Sequence, residues 1–243
     1  MKKLSFLAIS ASLLLVACVA AAEDVPTVGG FGHFSPGVLS GGVLNLDLVL
    51  AEESLLGAGP GINSTAASIG GGGKIYVGGV ILGGNGFGFV HPDYQTEKGS
   101  VAMGGGGGGF SLGYNILREK YAILYPYAGV GGASIEVQIS NRQASRNMTF
   151  GDAVIGPGES ETFVTGFFYY ELGIGVQALL LQEDEDGSGG GGLIVGAELG
   201  FISSVAGGSW QNDLEEDVQN LEGVAFTGGY FRLTVGGGGF FTD

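Results

Sequence analysis

From residue 109 onward, five stretches of the chain alternate, residue by residue, between a large apolar side chain and a small or polar one. Phe110, Leu112, Tyr114 and Ile116 alternate with Gly109, Ser111, Gly113 and Asn115, and Ile135, Val137 and Ile139 with Ser134, Glu136, Gln138 and Ser140. Phe168, Tyr170, Leu172, Ile174 and Val176 alternate with Tyr169, Glu171, Gly173, Gly175 and Gln177. Leu193, Val195, Ala197, Leu199 and Phe201 alternate with Ile194, Gly196, Glu198 and Gly200, and Phe231, Leu233 and Val235 with Tyr230, Arg232 and Thr234. A period of two is the period of a β-strand, so each stretch has one large apolar face. The second face is the constraint. A soluble barrel or sandwich wets its outer face along its length with Lys, Glu, Thr and Arg, whereas here that face is mostly Gly and Ser with isolated charges. Small residues suit the cramped interior of a narrow barrel, with the large ones turned outward.

Extending this reading to the whole chain gives eight strands, over 28–37, 67–78, 80–91, 100–117, 121–140, 161–181, 191–203 and 224–236. The connections alternate in length. About thirty residues separate the first two strands, about eight separate strands 3 and 4, and about twenty lie in each of 141–160 and 204–223, whereas Gly78-Gly79 and Arg118-Glu119-Lys120 are short turns and the acidic Gln182 to Gly190 is the least tidy of the short set. In an antiparallel meander this sorts long loops to one rim and short turns to the other. One short helix is expected at Leu46 to Leu56, closed by Gly57 and followed by Pro60. The predicted fold is therefore all-β, an antiparallel up-and-down β-barrel of about eight strands with one short helix between strands 1 and 2. Gly is 52 of 243 residues without a Gly-X-Y period. Gly70 to Gly73 and Gly104 to Gly109 read as strand, and Gly189 to Gly192, beside the acidic run Glu183 to Asp186, as loop.

On the small-residue face lie Glu136, Glu171, Glu198 and Arg232, and Lys74 is opposite in parity to Ile75 and Val77. These five are expected to form an interior charge network, because an unpaired charge in a low-dielectric interior is costly. Adjacent strands make Glu198 the nearest partner of Arg232.

The N-terminus reads as an export signal. Lys2 and Lys3 precede the apolar run Leu4 to Val16, too short to span a bilayer, and Ala20-Ala21-Ala22 then leads to Glu23. The expected division is 1–22 signal peptide and 23–243 a single β-barrel domain. Leu15-Val16-Ala17-Cys18 also resembles a bacterial lipobox, which makes Cys18, the single cysteine, the alternative processing and lipidation point. The formal charge of −15, with no cluster of Lys and Arg beyond Lys2 and Lys3, argues against nucleic acid as a partner.

An export signal, eight strands with long and short connections in turn, and lipid-like outer faces together resemble the small outer-membrane β-barrels, such as the OmpA membrane domain and OmpX-like proteins. The resemblance is architectural and covers most of residues 28–241. It implies an outer-membrane location and outer-membrane lipid as partner. That family usually ends in an aromatic residue, and here the chain ends Phe240-Phe241-Thr242-Asp243.

No motif calls for a cofactor or a metal. With His33 and His91 the only histidines, a His-rich metal site is excluded, and Gly73-Lys74 lacks the Ser/Thr of a phosphate-binding loop. Some outer-membrane barrels that modify lipids use a His with Ser or Asp near the rim, and His91 followed by Asp93 sits where a strand would reach it, against the plainer reading of a loop-edge His hydrogen-bonded to water. The leading expectation is a non-enzymatic outer-membrane barrel with a structural or surface-interaction role. The alternative is an exported soluble or lipid-anchored β-barrel that binds a small apolar ligand with its large residues facing inward. A lipid-modifying enzyme is the third.

Overall fold

The computed structural model describes residues 27–44, 65–95, 99–117, 119, 122–141, 148–150, 153–155, 160–180, 189–212, 214, 217–218 and 225–241. Eight long strands carry the architecture: β1 (Val28–Leu44), β2 (Thr65–Val77), β3 (Val80–Val90), β4 (Gly99–Tyr114), β5 (Ala122–Asn141), β6 (Ser160–Leu180), β7 (Gly189–Gly207) and β8 (Ala225–Phe241). Each pairs antiparallel with the next, and β1 pairs with β8, so the sheet closes. Short two-stranded pieces decorate the long-loop rim. Tyr94–Gln95 pairs with β4, Met148–Phe150 with Ala153–Ile155, and Trp210–Gln211 with both Asp217–Val218 and β6. The helix expected at Leu46 to Leu56, the export signal and Cys18 lie outside the described residues.

The size of the barrel can be read from its register. A row of ladder partners starting at Tyr169 on β6 runs through Gly131, Gly109, Asn85, Gly72, His33, Gly236 and Ile194, and returns to β6 at Leu179. The row closes ten residues from where it began. With strands about 4.8 Å apart and a rise of about 3.3 Å per residue, that stagger tilts the strands by about 40° and sets a backbone radius of about 8 Å. Such a lumen is just wide enough for side chains to fill.

The short-turn rim is tied tightly. Gly78 and Gly79, at φ of 55° and 91°, make a two-residue turn of the type that requires positive φ at both central residues. Asn115 Oδ1 accepts from Leu117 and Leu124 N–H, each at 3.1 Å, and so closes the β4–β5 turn. Gly189 to Gly192 open β7 instead of forming a loop. They pair with Phe241 to Gly238 of β8, and the ladder supplies the order that a glycine run lacks by itself.

Large apolar side chains point outward on every strand, among them Phe34 (β1), Ile75 (β2), Leu82 (β3), Phe110 (β4), Val130 (β5), Leu172 (β6), Leu199 (β7) and Leu233 (β8), with Phe110 78% and Phe168 73% exposed. One strand inverts the expected assignment. In the upper half of β5, Ile135, Val137 and Ile139 are buried and Ser134, Glu136 and Gln138 are exposed. The cause is strand length. About ten tilted residues cross a bilayer, and on β5 the outward residues pass from the apolar Val130 to Ser134, Glu136 and Gln138, although Val164 is still outward on β6. Beyond that level the strands continue into water, where the outer face must be polar and the inner face can be apolar. Glu136 is thus on the outer wall, above the apolar band. This arrangement predicts that Leu172→Arg costs about 2–4 kcal/mol of folding stability in lipid vesicles and Glu136→Arg about 0–1 kcal/mol, as measured by urea unfolding.

Candidate functional site in the barrel lumen

The lumen is layered. At the short-turn end Tyr76, Ile81, Ile123, Leu179, Ile194 and Phe240 are buried together, and at the loop end Phe89, Ile135, Phe167, Ile202, Trp210 and Phe226. In the upper layer the rings of Phe89 and Phe226 stack at 5.6 Å, and Phe167 lies 5.7 Å from Phe226. Between these two apolar plugs sits a polar layer.

Its centre is an ion pair that crosses the lumen, from Lys74 on β2 to Glu198 on β7. Tyr125 knits the pair to a third wall. Its hydroxyl accepts from Lys74 Nζ at 2.5 Å and from Gln177 Nε2 at 3.2 Å, and it donates to Glu198 Oε1 at 2.9 Å. Thr234 Oγ1 in turn donates to Gln177 Oε1 at 2.8 Å. A second chain lies beside the first: Tyr127 and Tyr230 share a 2.5 Å hydrogen bond, and the Tyr230 hydroxyl donates to Glu171 Oε2 at 3.1 Å. Lys74 Nζ lies 4.8 Å from the Tyr125 ring centre and 5.7 Å from that of Tyr127, which joins the two chains through a cation–π contact.

Of the five residues assigned to an interior network from the sequence, Lys74, Glu171, Glu198 and Arg232 are buried in the lumen, with Glu171 at 1% exposure. Glu136 does not join them, for the reason given by the inversion of β5. The pairing also differs. Arg232 is the ladder partner of Glu198, but Glu198 reaches across to Lys74, and the Arg232 guanidinium lies over the rings of Tyr230 at 4.1 Å and Phe87 at 5.3 Å. Backbone adjacency does not decide the partner here, because a long Lys side chain spans a narrow lumen. The sequence reading missed Tyr125 and Tyr127, and it placed Gln177 on the small-residue face without assigning it to the network. The two tyrosines lie in Leu124-Tyr125-Pro126-Tyr127, where Pro126 and the tyrosines blur the alternation, although the parity of Gly129 and Gly131 would have marked the same face.

At the rim, His91 is buried, its backbone N–H donates to Met103 O at 2.9 Å, and its ring meets the edge of Phe89 at 6.4 Å. Burial holds its imidazole below the ordinary histidine range.

No family model and no curated protein matches the sequence. Among solved structures, the chain is similar to Ail, the attachment invasion locus protein of Yersinia pestis, at 9% identity over 89% of this chain and 99% of that one, with a TM-score of 0.44. It is similar also to a major outer membrane protein from Thermus thermophilus, at 10% identity over 88% and 99% with a TM-score of 0.49. A third is the outer membrane protease OmpT from Escherichia coli, at 11% identity over 93% and 100% with a TM-score of 0.35. At these identities and TM-scores the likeness carries no conclusion about activity.

The chemistry of the layer predicts its own test. Lys74→Met leaves Glu198 buried without its cation and is expected to cost about 3–5 kcal/mol, whereas Lys74→Met combined with Glu198→Leu removes both charges and recovers most of that loss. A double-mutant cycle by urea unfolding measures the difference.

Proposed function

We propose that this protein is a non-enzymatic outer-membrane β-barrel that serves as a sealed scaffold for its long loops, with a structural or surface-interaction role. The observation that carries the reading is the distribution of polarity. Large apolar side chains cover the outside of all eight strands, and the buried charges face the lumen. Contiguous exposed apolar surface of that extent is unsuited to water and suited to lipid. Aromatic residues fall where a bilayer's interfaces would be, with Tyr114 and Phe241 toward the short-turn end and Tyr170, Phe168 and Phe201 higher up. The same distribution argues against a soluble carrier of an apolar ligand, which needs its large residues turned inward.

The two apolar plugs favour a closed barrel over a diffusion pore, since each end of the lumen is filled by packed side chains. Lys74, Arg232, Glu171 and Glu198 sum to zero charge between the plugs, so the lumen offers no net field to draw ions of one sign through it. The reading is tested by fractionation followed by gels of boiled and unboiled samples, and by swelling of vesicles that contain the purified protein. Recovery in the outer membrane with a heat-dependent shift in mobility, and no swelling in small sugars, is the expected outcome. Recovery in the soluble fraction without a shift overturns the membrane assignment, and rapid swelling overturns the sealed lumen.

A further inference from the structure

We propose that the outer wall of β1 to β4 is a homodimer interface in which Phe110 of each copy seats in a groove on the other, an inference that rests on the membrane reading above. The groove is open toward the bilayer and measures about 610 Å³. Gly32, Gly73 and Gly84 form its floor, and Ile75, Leu82 and Phe110 stand along its sides. Phe110 is 78% exposed, more than any other large apolar side chain among the described residues.

The barrel itself does not require glycine on this floor. A Cβ on the inward-facing Gly175 or Gly200 would run into a lumen tyrosine, whereas one on the outward-facing Gly32, Gly73, Gly84, Gly86 or Gly88 would meet nothing of the chain closer than 3.5 Å. None of these outward glycines has a positive φ. A strand interior is weakened by glycine and favours β-branched or aromatic residues, so bare backbone on one exposed face calls for something outside the chain. An acyl chain does not call for it, because it adapts to a ridge as readily as to a groove. Another backbone does. Inside a membrane, association is driven by packing contact, and small residues are what let two protein surfaces approach closely.

The groove and its neighbouring ring are complementary to a second copy of themselves. In a closed dimer of two copies inserted in the same sense, the two-fold axis lies along the bilayer normal, so each knob must find its hole at its own height. The ladder row from Phe110 runs through Gly84, Gly73 and Gly32. With strands tilted by about 40°, that row descends toward the short-turn rim by about 3 Å per strand. The residues level with Phe110 therefore lie about two positions nearer the loop rim on each strand. They are Gly86 on β3 and Gly71 on β2, which are ladder partners. Phe34 on β1, 51% exposed, bounds the far side. A two-fold axis between Phe110 and these glycines places each ring in the other copy's hole. One seated ring buries about 150–250 Å². Counted for both copies, with the glycine backbone and the flanking Phe34, Ile75 and Leu82, the contact is on the order of 1,000 Å², where specific interfaces begin.

The test uses the full mature barrel in phosphatidylcholine vesicles, with donor- and acceptor-labelled copies mixed and energy transfer followed as the protein is diluted with lipid. Transfer that saturates at two copies per assembly is the expected result. Gly86→Val and Phe110→Ala are each expected to weaken association by about tenfold or more, because one fills the hole and the other removes the knob. Gly86 has room for a side chain within its own barrel, so the heat-dependent gel shift and urea midpoint of Gly86→Val are expected to equal or exceed the parent's. That separates lost association from lost folding, and Phe110→Ala carries the test if Gly86→Val does not fold. A parent that is monomeric at every dilution leaves the groove to lipid chains and overturns the proposal, as does a folded variant of either kind that associates like the parent. The parent's own gel shift reports whether the barrel folds in lipid at all, so failure of the membrane reading is distinguished from failure of the dimer.

Discussion

Closure of eight strands with a stagger of ten residues leaves a lumen about 8 Å in backbone radius, and the side-chain composition of the inner wall follows from that width. An aromatic ring pointing inward has nowhere to go except across the neighbouring strand, so the residue opposite must be small. The ladder obeys this repeatedly. Tyr125 faces Gly175, Tyr127 faces Gly173, Tyr169 faces Gly131 and Tyr230 faces Gly200. At each of these glycines a Cβ would run into the ring or hydroxyl of the tyrosine. The apolar layers repeat the device, with Phe240 over Gly29 and Phe89 over Gly105. Much of the inward-facing glycine is thus the complement of the inward-facing rings, each ring covering the backbone that a missing side chain exposes.

The narrow lumen also fixes the electrostatics. Two cations and two carboxylates in a space enclosed by apolar plugs cannot rely on bulk water, so each must be met by another protein group. Lys74 and Glu198 meet directly. Glu171 is held by a tyrosine hydroxyl, and Arg232 by two ring faces, a use that suits the weakly hydrated, planar guanidinium better than it would suit an ammonium. The exchange of expected partners, with Lys74 in place of Arg232 on Glu198, follows from reach. Ladder neighbours start side by side but point the same way, whereas a side chain from the opposite wall arrives end-on.

Strand number, closure order and the short-turn rim were legible in the sequence, because period-two alternation and Gly78-Gly79 are local signals. So were the inner faces of β4, β6, β7 and β8. What was not legible depends on height or register. Ile135-Glu136-Val137-Gln138-Ile139 alternates as cleanly as Phe168 to Val176, yet its apolar side faces in, since nothing within five residues records whether they lie in the apolar band or above it. The tyrosine–glycine pairing was hidden because it needs the ladder register. Gly189 to Gly192 was hidden because a glycine run has no alternation to read and takes its order from Phe241 to Gly238 opposite.

The inversion on β5 bears on how the barrel is closed above the bilayer. β5 and β6 are 20 and 21 residues long, against 13 and 11 for β2 and β3, so one wall stands higher than the other. A tall wall with an apolar inner face, Ile135, Val137, Ile139 and Phe163, would be open to water on that side unless something covers it. The chain after β7 provides cover. Beyond a register shift between Ser204 and Ala206, Gly208 N–H donates to Gly166 O at 2.7 Å, Thr165 Oγ1 donates to Gly208 O at 3.2 Å, and Gln211 pairs with Val164. This path carries Trp210 inward, where it is 4% exposed. The bulge, the tall wall and the buried tryptophan are therefore one construction. The polar outer face marks where the lipid ends, and the apolar inner face above that level requires the loop to fold back over it.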